Sequence, residues 1–302
     1  MLRWAILVLN VALVLINSAL ASTTICFLAL IKLLIPFPAA KLAITHSAHA
    51  VMKVWSAVNA GLLSLMNPQL VWQIEGMDNV RSGTWSLMIS NHISWADIVV
   101  LFSVFRRTMP IPKFFLKKEL LYVPFIGVAC WAVDMPFMKR YSPAYLLKHP
   151  EKRGSDLEAT RRSCEKFRAT PTTVVNFVEG TRFTVDKQAK TKSPYRHLLP
   201  PKPAGIAFAL QAMQSQMKQV VDVTLCYPDN AEKPFRDLLQ GKMQRIVVNI
   251  ECITIDETLQ GDYFNDPVYK RRFQRWLQDR WLHKDAYLDS MTETASAKAS
   301  NS

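Results

Sequence analysis

Two polar blocks contain the residues whose types and spacing suggest chemistry. The first is Asn91-His-Ile-Ser-Trp-Ala-Asp97, in which a histidine and an aspartate are five positions apart. Histidine titrates near neutral pH, so His92 can take a proton from a hydroxyl group and return it. A carboxylate at Asp97 would fix the tautomer of the ring and stabilise its protonated form. The alternative is an ordinary helix start, with Asn91 as N-cap and Asp97 in the first turns.

The second block, Phe177-Val-Glu-Gly-Thr-Arg-Phe183, has the composition of an anion site. Arg182 offers a planar guanidinium that suits a phosphate or a carboxylate. Gly180 permits a tight turn that exposes backbone N–H groups to an anion. Glu179 can pair with a cation or accept a hydrogen bond from a substrate hydroxyl. The alternative is a surface turn with a Glu–Arg ion pair, which contributes little to stability.

Both blocks follow apolar runs that are typical of strands, and strands and helices alternate from about residue 70. This pattern predicts one α/β domain over residues 69–289, a mixed sheet flanked by helices. The predicted strands are Val71–Glu75, Trp85–Ser90, Val174–Val178, Val220–Tyr227 and Arg245–Ile255. The predicted helices are Ala96–Val104, Asp156–Phe167 and Pro203–Met213, with a last helix starting at Asp266-Pro267. Residues 290–302 are predicted to form a disordered tail.

The amino-terminal segment is predicted to contact a membrane. The run from Trp4 to Ile31 carries no charged residue and is long enough to cross a hydrocarbon core of about 30 Å. We therefore expect residues 1–38 to be a transmembrane or membrane-embedded anchor, and polar residues within the run leave a hairpin open. One basic residue before the run and three after it favour a cytoplasmic carboxyl-terminal side. A cleaved signal peptide ending near Ala19-Leu-Ala21 is the alternative, although apolarity resumes at Ile25.

Residues 39–68 are predicted to form an amphipathic interfacial helix that follows the membrane anchor. Its apolar residues recur at three-to-four spacing, which is typical of one helix face. Either this face lies in the membrane interface or it packs against the main domain, and the sequence leaves both open. The residues of this stripe are Ile44, Val51, Trp55, Val58, Leu62 and Leu65.

Charge and cysteine content narrow the class of partner. The chain has 302 residues, with 37 Lys and Arg against 24 Asp and Glu, a net charge of +13. Because half of the residues are hydrophobic, an acidic membrane or a phosphorylated substrate fits this charge better than nucleic acid does. The five cysteines form no CxxC pair, so neither a disulfide framework nor a zinc site is indicated. His46 and His49 share a helix face, which we interpret as polar surface.

The two blocks together resemble the 1-acylglycerol-3-phosphate (lysophosphatidate) acyltransferase family, in its lysocardiolipin-acyltransferase-like branch. Other segments resemble the family's motifs in the same order along the chain. The segment that resembles the family's fourth motif, here called the fourth block, lacks the proline that many family members carry there. These segments are Lys117–Leu120, Pro124–Gly127, Phe137–Arg140, Leu198–Pro200 and, for the fourth block, Asp222–Thr224.

The resemblance implies a role for each matching residue. His92 would be the general base and Asp97 its orienting partner. The residues implied in substrate binding are Glu179, Gly180, Thr181, Arg182, Arg140 and Lys117. The implied reaction is transfer of a fatty acyl group from a thioester to the free hydroxyl of a lysophospholipid, most simply lysophosphatidic acid. We also expect backbone N–H groups after Asn91 to stabilise the oxyanion.

The resemblance also implies the partners and the location. No permanent cofactor and no metal are expected, and an acyl-CoA or acyl carrier protein thioester would be the co-substrate. Membrane phospholipids and a lysophospholipid acceptor would be partners, nucleic acid would not, and the domain would face the cytoplasm at the cell inner membrane. A non-catalytic lipid-binding protein that keeps this fold is the main alternative. A hydrolase fits less well, because no G-x-S-x-G motif occurs.

Overall fold

Two long helices form an antiparallel hairpin at the amino terminus of the computed structural model, which describes residues 2–114, 116–123, 126–138, 170–213 and 216–300. Helix α1 spans Leu2–Leu34 and α2 spans Pro38–Met66. Asn17 Nδ2 donates to the backbone oxygen of Trp55 at 3.2 Å and to Asn59 Oδ1 at 3.0 Å. By length and composition, Trp4–Leu34 is one helix that is able to cross a membrane.

Helix α2 packs through a face that includes only part of the predicted stripe, since Val51 and Trp55 pack against α1 and the main domain. Its buried residues are small or polar for the most part, and Ser56 Oγ donates to the Phe102 carbonyl at 3.1 Å. Val58 and Leu65, which belong to the stripe, are 41% and 77% exposed. Polar contacts with α1 and the main domain select the packed face, which the apolar periodicity alone does not reveal. The buried residues are Thr45, Ala48, Ser56, Asn59 and Leu63.

The rest of the described chain alternates strands and helices. The strands are β1 Val71–Glu75, β2 Ser86–Ser90, β3 Pro112–Phe114, β4 Leu116–Lys117, β5 Phe137–Met138, β6 Thr173–Phe177, β7 Gln219–Cys226 and β8 Arg245–Thr254. The helices are α3 Ala96–Phe105, α4 Ile126–Ala132, α5 Val185–Thr191, α6 Pro203–Met213, α7 Pro234–Leu239 and α8 Pro267–Ser300. Short 3-10 helices cover Met77–Asn79 and Lys118–Tyr122.

One mixed sheet organises this part of the molecule. Its strand order is β1-β8-β7-β2-β6-β3, and β4 pairs with β5 in a separate two-stranded sheet. Strands β7, β2, β6 and β3 run parallel, and β8 is antiparallel to β7. The predicted mixed α/β sheet flanked by helices is confirmed.

Helices cover both faces of this sheet. Leu87, Ile89 and Val174 point to a core that includes α6 and α8. Met88 and Val175, one position along, point to a second core that includes α3 and Leu63 of α2. This alternation is expected when successive side chains of a strand point to opposite faces. A third, smaller cluster joins α1, α2 and α4.

The limits of most predicted elements agree with the structure, but six short elements were not predicted: β3, β4, β5, α4, α5 and α7. The predicted strands and helices between β1 and β8 end within one residue of those observed, except that Asp156–Phe167 lies outside the described residues. Asp266 caps α8 as predicted, since its Oδ1 accepts from Val268 N at 2.8 Å. The predicted disordered tail was wrong from residue 290 to Ser300, which continue α8. This stretch has no apolar pattern, but its Ala and Lys residues are good helix formers that extend a helix already nucleated.

Candidate active site

The two polar blocks meet at one edge of the sheet. Strands β2 and β6 are adjacent and parallel, with Ser90 beside Phe177 in register. Each block therefore starts where its strand ends, and the carboxyl ends of neighbouring parallel strands lie together. Val178 N donates to Ser90 O at 3.2 Å and Phe183 N donates to His92 O at 2.7 Å. The second block is thus held directly against the first.

His92 and Asp97 form a hydrogen-bonded pair. His92 Nδ1 is 2.7 Å from Asp97 Oδ2, and the aspartate side chain is fully buried. The same oxygen accepts from Ile93 N at 2.7 Å and from Ser94 N at 2.9 Å. An acceptor at Nδ1 puts the proton of the neutral ring on that nitrogen, which leaves Nε2 as the basic one. Asp97 therefore has the geometry of an orienting residue.

Tyr227 is a further partner of Asp97 that the sequence did not identify. Its hydroxyl donates to Asp97 Oδ1 at 2.8 Å, across 130 positions of the chain. Burial, followed by the neighbouring carboxylate, raises the pKa of Tyr227 well above its ordinary value of 10. The hydroxyl therefore stays protonated and continues to donate. Tyr227 directly follows β7, so this strand delivers it to the site.

The ring of His92 is held on its face as well as at Nδ1. It stacks on Phe177 with 4.0 Å between ring centroids and 13° between planes. Its side chain is 13% exposed, and Nε2 has no hydrogen-bond partner among the described residues. An oriented ring with one accessible basic nitrogen suits proton transfer to and from a bound hydroxyl.

Asn91 is a structural residue and not a helix cap. Its side chain is fully buried and exchanges two hydrogen bonds with Leu225, Nδ2 to O at 3.0 Å and N to Oδ1 at 2.9 Å. Helix α3 begins only at Ala96, whose N–H donates to Ser94 Oγ at 3.3 Å. The N-cap alternative for Asn91 was therefore wrong, because Asn91 ties the end of β2 to β7.

Most backbone N–H groups directly after Asn91 already have acceptors within the protein. His92 N donates to Glu179, and Ile93 N and Ser94 N donate to Asp97. The N–H groups of Ala96 and Asp97 also have internal acceptors. The turn uses the N–H groups of His92, Ile93 and Ser94 to hold the two carboxylates, so these three are not available to stabilise an oxyanion.

Glu179 faces the protein interior. It is 1% exposed, and its two carboxylate oxygens accept from His92 N at 3.0 Å and from Leu199 N at 3.1 Å. Burial raises the pKa of Glu179 to about 7, although the two backbone N–H groups oppose that shift. The predicted contact of Glu179 with a substrate phosphate does not fit this geometry. Glu179 instead fixes the backbone of His92.

The turn from Gly180 to Phe183 presents its polar groups at the surface. Gly180 has φ +70, and a Cβ atom there would lie 3.1 Å from Lys202 Nζ. Arg182 is exposed, and its guanidinium carbon is 4.9 Å from the centroid of the Trp95 ring. Trp95 immediately precedes α3 in the first block, so this contact joins the two blocks at the surface.

Two lysines beside this turn were missed by the sequence analysis. Lys187 Nζ donates to Thr181 Oγ1 and to the Arg182 carbonyl, each at 2.8 Å. Lys202 approaches Gly180 and is exposed. Spacing alone gave no reason to prefer these lysines over the other basic residues. With Arg182 they surround the turn with three positive charges, an arrangement that suits an anion.

Of the two remaining predicted substrate-binding residues, the structure describes the backbone of Lys117 but not Arg140. Lys117 is the second residue of β4, opposite Met138 of β5. Arg140 lies outside the described residues. The short sheet of β4 and β5 follows β3, where the ring of Phe114 is 5.9 Å from that of Phe177. This contact brings the start of β4 toward the strand end that carries the second block.

The fourth block anchors the last helix. Asp222 of β7 accepts from Lys284 Nζ at 2.7 Å and from Arg280 Nε at 3.0 Å. Lys284 also donates to the Val223 carbonyl at 2.7 Å and to Thr224 Oγ1 at 3.0 Å. These contacts attach α8 to the strand that supplies Tyr227.

Comparison with known proteins gives a family match over this part of the chain. The family model described as Acyltransferase matches residues 71–228, which include both blocks and Tyr227. The chain belongs to the acyltransferase family. Within this acyltransferase, the matched region starts at β1 and ends just after β7. Helices α1, α2 and α8 lie outside that region.

Named relatives of this acyltransferase come from animals and plants. The bovine 1-acyl-sn-glycerol-3-phosphate acyltransferase delta is 25% identical over 69% of this chain and 53% of the relative. The Arabidopsis thaliana 1-acyl-sn-glycerol-3-phosphate acyltransferase 3 is 24% identical over 78% and 65%. The chain thus spans between half and two-thirds of the length of these relatives. The crystal structure of the Thermotoga maritima 1-acyl-sn-glycerophosphate acyltransferase PlsC is 16% identical, with a TM-score of 0.49 over 92% of this chain and 96% of that one.

Proposed function

We propose that this acyltransferase moves a fatty acyl group from a thioester to the free hydroxyl of lysophosphatidic acid. The observation that carries the proposal is the His92–Asp97 pair, with an accessible Nε2 beside a cationic turn. Names of relatives such as 1-acyl-sn-glycerol-3-phosphate acyltransferase support the same acceptor. The thioester would be acyl-CoA or an acyl carrier protein.

The proton path follows from the orientation of His92. Nε2 takes the proton of the acceptor hydroxyl. At the same time, the hydroxyl oxygen forms a bond to the carbonyl carbon of the thioester. The carbon–sulfur bond then breaks, and the protonated ring returns the proton to the departing thiolate. Asp97 stabilises the charged ring in between, and its buried hydrogen bonds keep the carboxylate in place. No nucleophilic side chain is needed, because the acceptor brings its own hydroxyl.

The cationic turn is the proposed phosphate site. The exposed guanidinium of Arg182 can hold two phosphate oxygens, and Lys202 and Lys187 add charge on either side. Gly180 and Thr181 supply the turn backbone, while Lys117 and Arg140 are proposed to extend the site from the segment around β4 and β5. Glu179 acts through His92 and does not touch substrate in this proposal.

The test is acyl transfer by the purified full chain in detergent, with a labelled acyl thioester and a panel of lysophospholipids. We expect Asp97→Asn to lower kcat by about 10³- to 10⁴-fold, because the wrong tautomer is then stabilised. We expect Arg182→Gln to raise KM for the acceptor by about 10- to 100-fold, because one charged hydrogen-bond partner is lost. Lys190→Gln, on α5 and exposed, is the matched charge control.

The variants separate catalysis from lipid binding alone. Unchanged turnover in a folded Asp97→Asn protein would rule out the His–Asp mechanism. Transfer by the wild type to no acceptor, with lysophosphatidic acid still bound, would favour the non-catalytic lipid-binding alternative. An equal effect of Lys190→Gln and Arg182→Gln on KM would show that only general surface charge matters.

A further inference from the structure

A large cavity lies at the end of the sheet opposite His92. Its volume is about 430 Å³. It is lined by the segments that precede three parallel strands, Ser82–Gly83 before β2, Thr170–Pro171 before β6 and Met109–Ile111 before β3. A strand rises about 3.3 Å per residue, so β2 separates this cavity from His92 by on the order of 15 Å. The cavity is therefore separate from the candidate active site.

Basic side chains surround this cavity. Three lie on α2 at spacings of three and four residues, which puts them on one face of the helix: His46, His49 and Lys53. Arg107 and Lys113 approach from the main domain. No carboxylate lines the cavity among the residues that the structure describes. A cavity with this lining suits an anion.

The basic groups are arranged by depth. His46, Lys53 and Arg107 are exposed at the opening, whereas Lys113 is 2% exposed at the bottom. Lys113 Nζ lies 2.8 Å from His49 Nε2 and also donates to the Val133 carbonyl. Because His49 receives this hydrogen bond at Nε2, it is neutral, and the deep charge belongs to Lys113.

The deep charge is poorly compensated within the protein. Burial lowers the pKa of Lys113 to about 8, with Asp134 opposing the shift. Asp134 is also 3.7 Å from Lys32, so its charge is shared. Burial and then the neighbouring Lys113 lower the pKa of His49 to about 3. A bound anion would offset the cost of burying this cation.

The surface around α2 indicates where such an anion would come from. The helix carries exposed apolar side chains in the same stretch as the basic ones: Leu42 at 46%, Val54 at 62% and Val58 at 41%. Lysine and arginine at a membrane interface place their charges at the level of lipid phosphates. A helix with both features suits a phospholipid, whose acyl chains would lie along the apolar residues.

We propose that this cavity binds the phosphate-bearing head group of an anionic phospholipid, at a site separate from the catalytic one. Lys53 and Arg107 contact the phosphate at the opening, and Lys113 provides the positive potential behind it. The site attaches α2 to the membrane surface and to the sheet at once. It goes beyond the proposed function, because lipid binding here requires no acyl transfer.

The test is lipid binding to the full chain in detergent, measured by native mass spectrometry with phosphatidylglycerol and with phosphatidylcholine. We expect selective binding of phosphatidylglycerol, weakened about 30-fold in Lys53→Gln/Arg107→Gln and about fivefold in Lys53→Gln alone. The single variant covers the case in which the double variant does not fold. Arg271→Gln/Arg275→Gln removes two exposed charges from α8 and is the matched control.

Four results would overturn the proposal. The first is equal binding of both lipids, and the second is equal loss in the α8 control, which would indicate general surface charge. The third is loss in Arg182→Gln with retention in Lys53→Gln/Arg107→Gln, which would assign the lipid to the candidate active site. The fourth is binding of inorganic phosphate that depends on Lys53 and Arg107 without binding of phosphatidylglycerol, which would indicate a soluble ligand.

Discussion

At the scale of single residues, Asp97 organises the candidate active site. One oxygen accepts from His92 and from two backbone N–H groups, and the other accepts from Tyr227. A buried carboxylate with four donors is held in one orientation, and its hydrogen bond to Nδ1 in turn fixes the orientation of the His92 ring. The histidine can therefore be positioned for proton transfer before any substrate binds, which avoids an ordering cost during the reaction.

Tyr227→Phe tests this positioning. We expect the variant to lose about 1.5–3 kcal/mol of unfolding free energy, because a hydrogen bond to a buried charged group disappears. Turnover should fall by about tenfold, since a slightly displaced reacting group is costly. Chemical denaturation in detergent and the acyl-transfer assay measure the two effects.

Tyr269→Phe is the matched control for this prediction. The Tyr269 hydroxyl donates to the Leu259 carbonyl at 2.7 Å, also in the interior but remote from the two blocks. This variant should lose about 1 kcal/mol of stability with unchanged turnover. If Tyr227→Phe had no more effect on turnover than Tyr269→Phe, Tyr227 would have only a structural role.

At the scale of elements, the turn after β6 ties three segments together. Glu179 joins this turn to the end of β2 through His92 N and to the segment before α6 through Leu199 N. Lys202 N donates to the Val178 carbonyl at 2.9 Å, which closes the same junction. The position of Arg182 relative to His92 therefore depends on this buried carboxyl group as well as on the direct backbone hydrogen bonds between the two blocks.

This junction should make stability depend on pH. The pKa of Glu179 is about 7 in the folded protein against 4.5 ordinarily, because burial disfavours the charge. A raised folded-state pKa gives stability that is complete below pH 4.5 and is lost as the pH rises through 7. Over this window, the unfolding free energy of the wild type should fall by up to about 3 kcal/mol because of Glu179, and Glu179→Gln should remove this part of the decrease.

Denaturation at a series of pH values, with each variant compared with the wild type, measures this effect. Glu257→Gln is the control, because Glu257 is exposed in a turn after β8. Its profile should follow that of the wild type. The prediction fails if the profiles of Glu179→Gln and Glu257→Gln coincide across the window.

At the scale of the whole molecule, the α1–α2 hairpin lies along the main domain. Asn10 of α1 donates to the Leu239 carbonyl of α7 at 2.6 Å, and Ile25 and Ala29 pack in the cluster with α4. The opposite side of α1 exposes large apolar residues along its length, which favours burial in lipid. The exposed residues include Val8, Leu15, Leu20, Phe27 and Leu34, each between 62% and 83% exposed.

Membrane retention tests the role of this surface. We expect the full chain to stay in the membrane fraction through high salt and alkaline carbonate, because apolar burial holds it there. Leu15→Lys/Leu20→Lys should release a large share, since each charge in the hydrocarbon region costs about 3 kcal/mol. Fractionation followed by immunoblotting measures the share that is released.

The control places the same charges on the main domain. Val185 and Val268 are 72% and 66% exposed there, so Val185→Lys/Val268→Lys changes the charge equally. This variant should stay with the membrane. Release of the wild type by salt alone would show that attachment is electrostatic and would contradict the prediction.

The sequence by itself determined the longer elements and the contact between His92 and Asp97. Strands such as Val71–Glu75 and helices such as Pro203–Met213 follow from local apolar patterns, and their limits match. The spacing of His92 and Asp97 is also local, because one turn of chain brings them into contact. Helix α8 beyond residue 290 is the local exception, since a long helix extends into residues that pattern alone assigns to a tail.

Only the tertiary structure decided how the site is supported. Tyr227 reaches Asp97 across 130 positions, and Glu179 reaches His92 across 87, so no spacing reveals either contact. Glu179 and Arg182 are three residues apart in one turn, yet the first faces the interior and the second the solvent. The strand order β7-β2-β6 determines which groups are buried together. Burial then makes Glu179 a residue that orients His92, whereas the exposed Arg182 remains able to bind an anion.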